Sequence, residues 1–112
     1  MDLIRHMKRH LFLTSDELEA VARLGRRIRL ARLRRNLSQG QMADRIGVSR
    51  KTYIGLEAGN ESVGLAVLVK TLSSLGYPER VAAILESDPI GEDYEEFSGR
   101  KRAGGAHGVA DF

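Results

Sequence analysis

The stretch Gly47–Asn60, GVSRKTYIGLEAGN, sets two cations, Arg50 and Lys51, directly behind a serine suited to open a helix. Serine is among the preferred N-cap residues, and the turn after it carries a partial positive charge. A cation there is disfavoured by about 0.3–1 kcal/mol, so the chain gains nothing internally from this pair. An external anion would compensate it. An arginine fork matches the O6/N7 edge of guanine, and both bases can hold phosphate. The plainer alternative is two ordinary surface bases.

The elements around this pair favour the first reading. From Gln39 to Ala58, two short helices are joined by Gly47-Val48-Ser49. Met42, Ile46, Val48, Tyr53 and Leu56 are apolar and Ala43 is small. Helices that cross at about 90–120° through a 3–4-residue turn must bring their backbones close, and Ala43 suits that point. This is a helix-turn-helix pattern, whose second helix enters the DNA major groove by its N-terminal end.

The rest of the chain reads as further helices. Thr14-Ser15-Asp16-Glu17 forms a capping box ahead of a helix over about 15–35, with Leu24, Ile28 and Ala31 on one face and Asn36 as its stop. Ser38-Gln39-Gly40-Gln41 forms a second capping box. Gly47, Gly59 and Gly76 sit where helices end in a left-handed residue. Leu65, Leu68, Leu72 and Leu75 recur at helical spacing behind Gly64, a weak cap. Tyr77-Pro78-Glu79 starts a fifth helix, with Val81, Ile84 and Leu85 on its apolar side, ending at Pro89. The expectation is an all-α domain over 14–88, a loose arm over 1–13 and a disordered tail over 89–112.

LRRNLSQGQMADRIGVSRKTYIGLEAGN resembles the Xre/Cro-type helix-turn-helix domains of phage repressors and bacterial regulators, over about residues 22–76. That resemblance implies a five-helix, lambda-repressor-like bundle that binds an operator as a homodimer. It implies that Ser38 and Gln39 lie at the phosphate-holding start of the second helix, with Gln39 the ligand. Ser49, Arg50, Lys51 and Thr52 match the reading turn, and Asn60 a loop that touches the DNA backbone. Tyr53 is expected in the core, with its hydroxyl reaching a phosphate. Arg32 and Glu57 match a buried ion pair. Dimerisation is assigned to Val81, Ile84 and Leu85, which exceed what one small core needs.

Two departures stand out. Gly55 occupies a position where the family often has a polar base reader, which concentrates readout on Arg50 and Lys51 and implies a short half-site. Gly40 lies inside the second helix at a propensity cost of about 1 kcal/mol relative to alanine; a close phosphate approach is one account of it. SRKTYIGLE.G together with SVGLAVLVKTLSSLG is similar to HipB-like antitoxins, which implies autoregulation of an operon and a HipA-type toxin kinase as partner.

Composition bounds these readings. The chain has 112 residues, no cysteine and a net charge of +3, so one modest core and a reducing compartment are expected. No stretch approaches the roughly 18 apolar residues of a membrane span, and Leu11-Phe12-Leu13 is too short for a signal-peptide core, so the expected location is cytoplasmic. Bases crowd Arg23–Lys51, where Asp44 is the lone acid, whereas Glu86–Glu96 holds six acids and no base. A basic block of this kind suits a polyanion or is simply a solvated face. His6 and His10 make half a metal site at best, and the expectation is no metal and no cofactor. No catalytic triad, phosphate loop or framed carboxylate pair is present, so no enzyme is expected. The alternatives are a stand-alone regulator and, from another class, a protein-interaction module that binds no DNA.

Overall fold

A computed structural model describes residues 11–98. Among them are five α-helices and no strand: α1 Ser15–Leu33, α2 Gln39–Ile46, α3 Arg50–Ala58, α4 Leu65–Leu75 and α5 Pro89–Ser98, with a 3-10 turn at Arg80–Ala83. The all-α expectation holds. Residues 11–98 divide into two compact units, the first running to Val81 and the second starting at Ala82.

Local chemistry sets the ends of the first four helices. Both capping boxes form: Thr14 Oγ1 accepts from Glu17 N at 3.1 Å while Glu17 Oε1 accepts from Thr14 N at 2.9 Å. Ser38 and Gln41 repeat the exchange at 3.0 and 2.8 Å. Gly47, Gly59 and Gly76 close α2, α3 and α4 with φ of 76°, 81° and 105°, a region closed to most L side chains. Asn36, just beyond α1, also takes a left-handed φ of 57°.

The core of the first unit gathers Ile28, Met42, Ala43, Ile46, Tyr53, Leu56 and Leu75, with Ala31, Leu37, Val48, Val63, Val67 and Leu68 packed against it. Thr71 is fully buried among them, its hydroxyl donating to the Val67 carbonyl at 2.8 Å. Ala43 is buried as expected, and a separate close approach of backbones, between α1 and α3, lies at Gly25. A Cβ at Gly25 would run into the carbonyls of Leu56 and Glu57, so α1 can cross α3 at this depth only with glycine there. Leu24 is partly exposed instead of sharing the buried stripe with Ile28.

The fifth helix lies elsewhere than the sequence reading put it. Residues 78–88 hold only the 3-10 turn, with Leu85 at φ 71°, and Ile84 and Leu85 are exposed. The helix falls instead within the stretch expected to be a disordered tail. Asp88 caps it, its Oδ1 accepting from Gly91 N at 3.0 Å, and Pro89 takes the first helical position. Proline there loses no intrahelical bond, so the residue read as a stop is a start. None of α5 is buried, and Ile90, Tyr94 and Phe97 are exposed. The remainder of the expected arm and tail, with His6, His10 and residues 99–112, lies outside the described residues.

Candidate nucleic-acid interface

The helix α3 starts because Ser49 Oγ accepts from Thr52 N at 3.1 Å; the same hydroxyl donates to Thr52 Oγ1 at 2.9 Å. This cap fixes the backbone of the first turn and orients the Thr52 hydroxyl. Arg50 and Lys51 stand on that turn, both exposed. Among the described residues the carboxylate ion pairs are Arg26–Glu19 and Arg32–Glu57, so neither Arg50 nor Lys51 is neutralised from within.

Lys51 and Thr52 share a shallow cleft of about 430 Å³ with Gly55, Asn60, Ser62, Val63 and Gly64. Asn60 is held there by its own turn: its N–H donates to the Gly55 carbonyl at 2.9 Å, and its Oδ1 accepts from Ser62 N at 2.8 Å. A Cβ on Gly55 would touch Val63 and Asn60 at ordinary contact distance, so glycine keeps the cleft wall low. Ser62, on this wall, escaped the sequence reading except as a neighbour of Asn60.

On the other side of the turn, the Arg50 guanidinium lies against Gly40, in the first turn of α2. Ser38 caps that helix and is exposed; Gln39 follows it, half-buried. The starts of α2 and α3 and the loop after α3 therefore bring Ser38, Gln39, Ser49, Arg50, Lys51, Thr52 and Asn60 onto three neighbouring segments of one unit.

Behind this surface stands a buried ion pair. Glu57 accepts from Arg32 Nε at 2.6 Å and from Arg32 Nη2 at 3.0 Å, while Arg32 Nη1 donates to the Leu37 carbonyl at 2.8 Å. Tyr53 donates its hydroxyl to Glu57 at 2.5 Å, and Gln39 Nε2 donates to Glu57 at 3.0 Å. Burial pushes the Glu57 carboxyl up, but the bonds from Arg32, Tyr53 and Gln39 and the Arg32 charge outweigh it and hold it below the usual carboxylate value. Burial, then the bond to Glu57, raises the Tyr53 phenol.

This network corrects one assignment and refines another. Tyr53 is fully buried with its hydroxyl turned inward, so it reaches no phosphate. Gln39 directs its amide nitrogen inward to Glu57. A carboxylate only accepts, and the nitrogen carries two hydrogens, so this bond orients the amide and uses one of them. The basic block also divides. Arg32 is buried, Arg26 pairs with Glu19 at 2.8 Å, and Arg35 donates to the carbonyls of Ala31 and Leu75 at 2.7 and 2.9 Å. Arg32 and Arg35 therefore serve the fold, whereas the Arg26 pair stays at the surface.

The helix-turn-helix family model matches residues 28–81, from the last third of α1 into the 3-10 turn. The match supports a DNA-binding regulatory domain, and α2 and α3 both lie within the matched residues. No curated protein and no solved structure matches the chain. Among the described residues no helix is long and apolar enough to cross a membrane, and no cluster of histidines and carboxylates suits a metal ion.

Proposed function

We propose that this chain is a sequence-specific transcriptional repressor that binds operator DNA as a homodimer. One observation carries the reading: Arg50 and Lys51 are exposed on the first turn of α3, without a carboxylate partner among the described residues, beside the cleft that holds Thr52 and Asn60. A cation pair that its own helix disfavours, left unneutralised, suits the phosphates and base edges of a major groove. Ser38, Gln39, Ser49 and Asn60 position the domain on the backbone, while Arg50 and Lys51 read bases. The site of action is then the compartment that holds the DNA, taken to be the cytoplasm.

Duplex titration at 50 and 200 mM salt tests this. Affinity falls steeply with salt for a phosphate-neutralising domain; no binding at either concentration would leave the protein-interaction module standing. Pairing through Val81, Ile84 and Leu85 fits the exposure of the last two, although no α-helix carries them. Sedimentation of the wild type and of Leu85→Lys reads that directly.

The finer reading is an antitoxin of a HipA-like toxin–antitoxin pair that represses its own operon. The likeness of residues 49–76 to HipB-like antitoxins supports it, and co-purification with the product of the adjacent reading frame tests it. If that frame encodes no kinase, the stand-alone regulator takes its place.

A further inference from the structure

A glycine in the first turn of α2 weakens an eight-residue helix, and the backbone there does not require it: Gly40 has no left-handed φ. Its reason lies in what a Cβ would meet. The three nearest atoms all belong to Arg50: Nη2 at 2.7 Å, Cζ at 3.2 Å and Nε at 3.2 Å. No backbone atom is among them. Gly25 is the contrast, because a Cβ there meets the carbonyls of the helix it crosses. The glycine at 40 serves one side chain, and that side chain is an exposed arginine with no carboxylate partner among the described residues.

From this contact we infer that Gly40 is a positioning residue for Arg50: the bare Cα seats the guanidinium across the first turn of α2 and so sets where it meets DNA. The inference rests on the DNA-binding reading and adds to it a determinant that touches no nucleic acid. Any side chain at 40 takes the space of the guanidinium, whose flexible stem swings it elsewhere. The fold is spared, because what must move is the free end of a surface arginine. Alanine at 40 therefore separates two quantities that a structural glycine would join, leaving stability intact while changing recognition.

The experiment is a double-mutant cycle in the full chain, using a duplex that the wild type selects from a random pool. Arg50→Ala is expected to weaken binding about 5- to 150-fold, from the roughly 1–3 kcal/mol of one good arginine contact. Gly40→Ala is expected to lose a comparable factor while unfolding at the same or a higher temperature. The double variant should bind no worse than Arg50→Ala alone, since Gly40 acts only through that arginine. Three results overturn the inference: Gly40→Ala binding like wild type beside a weakened Arg50→Ala, losses that multiply in the double variant, or Gly40→Ala lowering the unfolding temperature. If the pool yields no selected duplex, the DNA reading itself falls and takes the inference with it, a failure distinct from the other three.

Discussion

Arg32 and Glu57, twenty-five residues apart, meet through two guanidinium nitrogens at 2.6 and 3.0 Å, with side chains only 6% and 3% exposed. The pair ties the last turn of α1 to the end of α3. Glu57 also receives Tyr53 from its own helix and Gln39 from the first residue of α2, so one carboxylate fixes three helices behind the candidate interface.

Removing one partner leaves a buried charge alone. Arg32→Ala or Glu57→Ala should cost about 3–5 kcal/mol in denaturant unfolding. Replacing both with apolar residues of similar volume, together with Tyr53→Phe so that no buried hydroxyl loses its acceptor, should recover part of that loss, because the desolvation of the two charges is then relieved as well. Recovery of stability in the combined variant, read from urea midpoints, checks the account.

The network also predicts a pH profile. The Glu57 carboxyl lies lower in the folded chain than its ordinary value of 4.5, so the unfolded chain takes up its proton first as acid is added. Its contribution is complete above that ordinary value and is lost as pH falls through the lower folded one. At the alkaline end the raised Tyr53 phenol stays neutral in the folded chain while the unfolded chain ionises near 10.0. Stability should then fall as pH rises past that value. Glu57→Gln should flatten the acid arm and Tyr53→Phe the alkaline arm in urea titrations at stepped pH.

Gly25→Ala should destabilise the domain toward the upper end of the roughly 1–3 kcal/mol seen for overpacking, since the obstacle is the backbone of α3. Gly40→Ala, also in a helix, should not. Thermal unfolding of the two variants side by side makes the contrast.

Arg50→Ala should lower discrimination at a single base pair of a selected site, by about 1–3 kcal/mol. Gln39→Ala should weaken matched and mismatched duplexes alike, because a backbone contact carries no sequence. Competition binding with single-mismatch duplexes distinguishes the two patterns.

The helix α5 depends on local chemistry, with ten residues and none buried. Asp88→Ala removes the cap at a cost of about 1 kcal/mol, which a helix of this length does not withstand. Helical circular dichroism should drop while the unfolding midpoint of the first unit stays in place.

Much of the fold was legible because its signals are local. A capping box needs residues only three apart, and a glycine stop acts within one turn, so the starts of α1, α2 and α3 and the ends of α2, α3 and α4 follow from short strings. The same rules also hold the start of α5, in Ser87-Asp88-Pro89, but from sequence Pro89 serves equally as the end of a helix before it. A proline punctuates both sides, and only the cap bond from Asp88 shows which side it serves. Residues 78–88, apolar enough for a helix, form only a 3-10 turn, and Ile84 and Leu85 have no cover to reward a longer one.

What the sequence by itself determined is the order of caps, stops and apolar stripes from Thr14 to Gly76, and the unfavourable pair of cations at the mouth of α3. What only the tertiary structure decided is where the polar side chains turn. Tyr53 and Gln39 face Glu57, Arg35 reaches the carbonyl of Leu75 forty residues on, and Arg50 lies over Gly40. Caps and periodicity involve neighbours within a turn or two, whereas the direction of a long side chain is set by partners that packing delivers from distant parts of the chain.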